Sequence, residues 1–347
     1  MPSSTAAPSP QPTRMQGWSA LVPGLMLAIV VALAATFVSE HYGGPKFLYA
    51  LLMGVAFHFL SDNERCRDGV EFAAKKLVRF GVALLGCKIV MADVADLGLA
   101  GISALAGAVM LTIAFGLVMA RALGLPFKLG LLSGGATGIC GISAAMAISS
   151  TMVQDEENER YTLMTAIGIA SLSTTAMVLY PLWVKTMGLS PAQAGLFLGG
   201  SIHDVAQVVG AGNIVSPEVA KLATLAKMFR VAMLVPVVLV LALYFRADVA
   251  ASKAHGGHAA KRQPVLPFFL VAFILLVIAN SMGWVPPAVQ HAANETSSWA
   301  LVISIAALGV KTSFEKIVQL GWQPIALLIS ETVFIAVFMA LVAWLLR

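Results

Sequence analysis

The stretch SGGATGICGIS, residues 133–143, decides how this chain folds, because it places four glycines within eight residues in the middle of an apolar segment. Each glycine disfavours a helix by about 1 kcal/mol relative to alanine. Lipid offers no partner to the backbone groups that a break frees, so such a break is buried in protein or faces a water-filled cavity. The pattern predicts a broken helix whose N-terminal N–H groups suit an anion and whose carbonyls suit a cation.

Four residues in or beside the break are candidate substrate-binding residues: Thr137, Gly138, Gly141 and Ser143. A packing explanation is also open, because Gly134 and Gly138 have the spacing of the small-xxx-small motif that lets membrane helices approach closely. The additional glycines, together with Thr137 and Ser143, favour the broken helix over the packing motif.

The composition excludes a soluble protein. Of the 347 residues, 59% are hydrophobic and only 11% are charged, against about 25% charged in soluble domains. Apolar runs near the length of a membrane span recur from residue 21 to residue 346. Runs such as residues 231–245 are apolar on every side, which excludes the alternating pattern of an outer-membrane barrel. The sequence therefore predicts an all-α polytopic membrane protein.

We expect a disordered N-terminal tail at residues 1–18 and a single transmembrane transporter unit at residues 19–346. Reading the apolar runs gives about eleven transmembrane helices. Their expected bounds are 19–39, 45–60, 71–92, 98–120, 126–150, 160–187, 192–213, 218–245, 264–283, 297–315 and 322–346. Most of the 22 Lys and Arg residues fall on one side if the N-terminus is cytoplasmic, so the positive-inside rule favours N-in/C-out.

A second polar run, GGSIHDVAQ at residues 199–207, lies inside an apolar segment. His203, Asp204 and Gln207 share one helical face. Ionisable side chains at membrane depth are costly and mark ion or substrate pathways. We assign Asp204 and His203 to ion or proton coupling, and Ser201 and Gln207 to substrate binding. A structural alternative is that these groups bond across helices or pair with nearby cations.

Two cations form the third candidate feature. Ser216-Pro217 is typical of a helix start, which places Lys227 and Arg230 about 14 to 18 Å along the axis. In a hydrocarbon layer of about 30 Å they would lie near the middle, where they could bind an anion. The alternative is an amphipathic surface segment up to Arg230, followed by a short span kinked at Pro236.

The glycine run 134–141, the segment 199–207 and the KMFR sequence at 227–230 resemble the YeiH-type sulfate exporter family of bacterial inner-membrane proteins, over about residues 20–346. That family is grouped with the sodium/proton antiporter and bile-acid symporter superfamily. The resemblance implies inverted repeats, two crossing broken helices, and a core and a panel domain. One crossing helix would contain residues 134–141, and the other would be the penultimate span, around residues 304–313.

The core would lie around residues 71–150, 192–245 and 297–321, with the remainder as panel. We expect a secondary active transporter of a small anion, such as sulfate or another sulfur-containing or inorganic anion, that works by alternating access in the inner membrane with a coupled proton or sodium. Two alternatives are a cation/proton antiporter that uses Asp204 and a non-transporting scaffold or sensor.

No enzymatic motif occurs in the sequence, and we expect neither enzyme activity nor a cofactor, metal site or nucleic-acid partner. Beyond the anion and the bilayer, a homodimer formed through the panel domain is compatible with the sequence.

Overall fold

The computed structural model describes residues 14–43, 45–61, 63–96, 98–254, 267–312 and 321–346, and within these ranges the chain is helical and contains no strand. The α-helices are α1 (Arg14–Tyr42), α2 (Lys46–Ala56), α3 (Glu64–Phe72), α4 (Val78–Leu84), α5 (Met91–Asp96), α6 (Gly98–Ala122), α7 (Phe127–Gly138), α8 (Ile142–Ser149), α9 (Glu156–Met187), α10 (Pro191–Ser201), α11 (Val205–Val215), α12 (Pro217–Ala232), α13 (Leu234–Tyr244), α14 (Arg246–Ala254), α15 (Phe268–Ser281), α16 (Pro287–Lys311) and α17 (Trp322–Leu345). A π-helical segment, Ala73–Leu77, joins α3 to α4, and short 3₁₀ segments occur at His58–Leu60 and Leu85–Lys88.

Among the described residues, five helical stretches are long and apolar enough to cross a membrane. They are Ser19–Tyr42, Gly98–Ala122, Glu156–Met187, Pro217–Tyr244 and Trp322–Leu345. Of the expected N-terminal tail, residues 1–13 lie outside the described residues, whereas residues 14–18 belong to α1.

The glycine-rich stretch forms a helical break, as its composition predicts. Helix α7 ends at Gly138 and α8 begins at Ile142, with Gly141 between them at φ +67° and ψ −129°. The two halves then pack side by side, because a Cβ atom built on Gly135 would overlap the side chain of Ile148. Two halves of one straight span would hold residues 135 and 148 about 20 Å apart.

Both ends of this α7–α8 unit lie at the same end of the helical bundle. Lys128 Nζ, in the first turn of α7, is 3.7 Å from Asp155 Oδ2, just before α9. Ser149, the last residue of α8, donates from its hydroxyl to Asn158 in the first turn of α9. The expected span at residues 126–150 is therefore wrong: α7 and α8 form a re-entrant hairpin, which we call the first hairpin.

The second break separates α10 from α11 at Ile202, His203 and Asp204. Gly195 of α10 packs on Leu222, and Gly212 of α11 packs on Ala220. These contacts are near the first turns of α12, so both ends of the α10–α11 unit again lie at one end of the bundle. We call this unit the second hairpin, and it replaces the expected span at residues 192–213.

The two hairpins enter from opposite ends of the bundle. Helix α9 starts beside the base of the first hairpin, passes the first tip at Ile169 and the second at Ser173, and ends at Met187, next to the start of α10. The tips meet in the middle, where a Cβ built on Gly141 would lie 3.6 Å from the His203 carbonyl oxygen. Tip-to-tip hairpins thus take the place of the crossing helices implied by the family resemblance.

The second break does not lie in the penultimate span. Helix α16 runs unbroken from Pro287 to Lys311. Gly309 allows close packing against α2 and does not interrupt the helix. A Cβ on Gly309 would overlap the Leu51 carbonyl oxygen, and one on Gly54 would overlap that of Ala306. Helices α2 and α16 therefore approach with their backbones almost in contact.

The helices pack in two groups. Helices α6, α9, α12 and α17 pack on the two hairpins, whereas α1 to α4, α15 and α16 pack mainly on one another. Residues 71–88 and 297–311, which we expected in the core, pack mainly within the second group; the division into core and panel domains stays a prediction. The groups touch through α11, which contacts α2 and α16.

Candidate functional site

Lys227 of α12 lies between the two hairpin tips. Its Nζ donates to the carbonyl oxygen of Ile139 in the first hairpin, at 2.7 Å, and to that of Ile202 in the second, at 2.8 Å. The side chain is completely buried. One ammonium group therefore connects the two breaks.

Arg230, one turn further along α12, makes the same connection with four more hydrogen bonds. Its Nε and Nη2 donate to the carbonyls of Gly138 and Thr137 at 2.8 and 2.7 Å, and its Nη1 donates to those of Gly199 and Ile202 at 3.1 and 3.0 Å. It is also completely buried. We call Lys227 and Arg230 the tip clamp.

The charge of the tip clamp matches the helix ends that it touches. Helices α7 and α10 both end at the breaks, so their last carbonyls point there without intrahelical partners and carry partial negative charge. Two such ends facing each other would repel without cations between them. Lys227 and Arg230 lie beside the breaks, and their hydrogen bonds go to backbone carbonyls. A position at mid-depth in the membrane and a substrate-binding role stay predictions.

The side chains of three further candidate residues also form hydrogen bonds within the protein. The His203 ring contacts the Thr137 carbonyl at 3.3 Å and the Thr332 hydroxyl at 3.0 Å. Gln207 bonds to Ser173 and Thr174 of α9, and the Ser201 hydroxyl donates to the carbonyl one turn earlier. All three are buried. His203 and Gln207 connect helices, whereas Ser201 bonds within α10, and none of the three lines the cavities described below.

Asp204 differs from these neighbours because it is partly exposed. Its Oδ1 accepts from the Ala206 N–H at 2.8 Å and so caps the start of α11. Its own N–H donates to the Ser173 hydroxyl. The carboxylate lines a cavity of about 310 Å³ at the tips of the hairpins.

This tip cavity has a mixed wall. Polar side chains come from Asp204, Ser143 and Cys140 at the tips and from Arg79 and Lys75 on the α3–α4 segment. A more apolar cavity of about 590 Å³ lies beside it. Both cavities are lined by Arg79, Ser143, Met146, Pro267 and Phe269.

The wall of the tip cavity contains a helix N-terminus without a side-chain cap. Helix α8 begins after Gly141, which cannot cap it, and Ile142 and Ser143 both line the cavity. The first N–H groups of a helix bind anions when nothing else pairs with them. Arg79 adds a cation, with its guanidinium 6.0 Å from the Phe269 ring. Backbone donors, a hydroxyl and a guanidinium thus converge on one space.

The structure therefore divides the expected site in two. Ser143 and Asp204 line the tip cavity together with the Gly141 turn, whereas Thr137 and Gly138 lie behind the turn and contact the tip clamp. Arg79 was missed as a site residue, because on the sequence it is one of many cytoplasmic-side cations.

Glu331 was also missed. It is completely buried in α17, where its carboxylate accepts from the hydroxyls of Ser133 and Thr137 in the first hairpin, at 2.7 and 3.1 Å. The sequence contains a signal for it, because Glu331 is the one charged residue among residues 322–345. A lone acid in an apolar span indicates function.

Comparison with known proteins gives matches along almost the whole chain. A family model described as "Conserved hypothetical protein 698" matches residues 23–328. A UPF0324 membrane protein of Chlorobaculum tepidum is 46% identical over 91% of this chain and 87% of its own length. The UPF0324 membrane protein TauZ of Paracoccus denitrificans is 46% identical over 93% of this chain and 94% of its own, and a UPF0324 membrane protein of Rhizobium meliloti is 46% identical over 91% and 90%.

Proposed function

The chain belongs to the UPF0324 family, which is the YeiH-type family that its motifs resemble, and on this premise we propose that it is a secondary transporter of a small anion. Its relatives are named membrane proteins of bacteria, and its apolar helices make it a multi-pass bacterial membrane protein. The proposed substrates are sulfate and related sulfur-containing or inorganic anions, moved by alternating access.

One observation carries the proposal: the uncapped start of α8, the Ser143 hydroxyl and the Arg79 guanidinium converge on the tip cavity. Together they supply the hydrogen-bond donors and the positive charge that a tetrahedral or planar oxyanion needs. Broken helices whose ends surround a mid-membrane site are the usual construction of secondary transporters.

The distribution of charge supports the N-in/C-out orientation. The end that holds the base of the first hairpin is rich in cations: Arg65, Arg67, Lys75, Lys76, Arg121, Lys128, Arg160, Arg246 and Lys311. The opposite end has Lys46, Lys88, Lys185 and Lys221. By the positive-inside rule the first end is cytoplasmic. Because Lys75 and Arg79 line the tip cavity, the described conformation is the one that faces the cytoplasm.

The tip clamp gives the proposed mechanism its moving unit. Since Lys227 and Arg230 bond to both tips, the hairpins and α12 shift as one body against the helices that supply Arg79. Movement of this body along α4 and α15, toward the opposite end of the bundle, would carry the site away from the cytoplasmic entrance and expose it on the other side.

Asp204 supports a second candidate, a cation/proton antiporter, because its carboxylate faces the tip cavity. In that case Asp204 binds the ion, and transport depends on pH and sodium but on no anion. A non-transporting scaffold or sensor predicts no flux of either kind.

Anion flux into proteoliposomes tests the proposal, with sulfate, sulfite and thiosulfate as substrates. Arg79→Gln removes the cavity cation, and we expect it to raise the concentration for half-maximal flux by about tenfold, the effect of losing about 1.4 kcal/mol of binding. Arg160→Gln, an exposed cation at the same end of the bundle, is the matched control and should leave flux unchanged. Equal flux in both variants would remove Arg79 from the site, and no anion flux in the wild type would refute the function.

A further inference from the structure

We propose that Glu331 is the binding site of the proton that is coupled to transport. The proposal rests on the transporter function argued above and adds a residue to it. Glu331 does not line the tip cavity, so the proton would bind on α17 beside the first hairpin, apart from the anion.

The surroundings of Glu331 suit a group that gains and loses a proton. Its described hydrogen bonds come from two hydroxyls, those of Ser133 and Thr137, and from no cation. Hydroxyls can donate to a carboxylate and can also accept from a carboxylic acid. The site therefore accommodates both forms, whereas a salt bridge would favour the charged form alone.

Ser133 provides the alternative arrangement that the protonated form requires. Its hydroxyl donates to Glu331 Oε1 at 2.7 Å and lies 3.4 Å from the Gly130 carbonyl oxygen. When the carboxyl carries a proton, the Ser133 hydroxyl can accept from it and donate to Gly130 instead. No covalent bond changes, and each donor retains an acceptor.

The charged and titratable groups around Glu331 are few. Of the helices that pack on α17, α10 has no ionisable side chain, while α6 has only Arg121 and α7 only Lys128, both near their outer ends. Helix α9 has its charged residues near its two ends, at residues 156–160 and 185, and it has two tyrosines, Tyr161 and Tyr180. The central ionisable groups are His203 and Arg230, which both contact the Thr137 carbonyl.

Thr137 links the proton site to the hairpin tips. Its hydroxyl donates to Glu331 Oε2, and its carbonyl accepts from Arg230. His203 bonds to Thr332, the residue after Glu331. A change in the protonation of Glu331 therefore acts on the first hairpin through Thr137. The next residue, Thr332, contacts His203 of the second hairpin.

The test compares coupled transport with exchange in proteoliposomes that contain the full chain. Glu331→Gln keeps the shape of the side chain but cannot bind the proton as a carboxylate does. We expect loss of uphill anion uptake driven by a pH gradient, with anion exchange retained. Glu295→Gln, an exposed carboxyl on α16, is the matched control and should retain both activities. Gradient-driven uptake by Glu331→Gln at the wild-type level would overturn the proposal.

A spectroscopic measurement makes the test independent of flux. Infrared difference spectra of the wild-type protein between low and high pH should contain a protonated-carboxyl C=O band that is absent in Glu331→Gln and shifted in Glu331→Asp. A band that persists unchanged in both variants would overturn the assignment; if Glu331→Gln does not fold, the Glu331→Asp spectrum decides. If the wild type moves no anion but the Glu331 band titrates, the transporter function fails while the proton site stands.

Discussion

Arg230 is the residue on which the meeting of the two hairpins depends most. Its guanidinium contacts carbonyl oxygens from the ends of both α7 and α10. The planar group can serve several acceptors at once, which an ammonium group does less well. A neutral side chain at this position would leave the carbonyls without their donors in a site that water does not reach.

We therefore expect Arg230→Leu to lower the free energy of unfolding by about 3–5 kcal/mol, the usual cost of leaving buried polar partners unpaired. The free energy of unfolding of Arg230→Lys should lie between those of Arg230→Leu and the wild type. Thermal unfolding of the detergent-solubilised protein measures the difference, with the exposed Arg160→Leu as control. If Arg230→Leu melts with the wild type, the tip clamp does not stabilise the fold.

The sequence predicts the positions of Lys227 and Arg230 along their helix, but it does not predict their hydrogen-bond partners. The spacing from Ser216 places Lys227 and Arg230 at mid-depth, because helical rise is fixed. Their hydrogen-bond partners come from residues 25 to 93 positions earlier in the chain, and no local pattern encodes such contacts. For the same reason, Arg79 and Glu331 can be recognised as candidate site residues only from the contacts between distant helices.

At the scale of the element, the turn at Gly141 makes the first hairpin possible. Its φ of +67° with ψ of −129° lies in a region that residues with a Cβ rarely occupy. The glycine run therefore predicts a break, and the structure has one. It does not predict the direction of the chain after the break, because the return of α8 along α7 depends on Ile148 packing against the bare backbone of Gly135.

Gly141→Ala should destabilise the protein by about 1–3 kcal/mol, the cost of a strained backbone conformation. In addition, the new methyl group would lie 3.2 Å from the Ile169 side chain. Gly107→Ala on α6, where nothing lies within 4 Å of the added Cβ, is the matched control and should be neutral or stabilising. Thermal unfolding of the two variants measures the contrast. Equal melting temperatures would show that the turn is not held as described.

At the scale of the whole molecule, hydropathy predicts membrane insertion but miscounts the crossings. A re-entrant hairpin buried among other helices is as apolar as a span, so residues 126–150 and 192–213 each read as one crossing. If the remaining nine expected spans cross the membrane, the two termini still lie on opposite sides, since that number is also odd. The proposed N-in/C-out orientation therefore survives the correction of the helices.

The side of the membrane on which four positions lie tests the two opposed hairpins most directly. Single cysteines replace Lys128, Glu156, Ala192 and Glu218 one at a time, in a background where Cys66, Cys87 and Cys140 are serine. A membrane-impermeant maleimide should label positions 128 and 156 from one side, and positions 192 and 218 from the other. Labelling of 128 and 156 from opposite sides would make residues 126–150 a crossing span and contradict the opposed hairpins on which the proposed site is built.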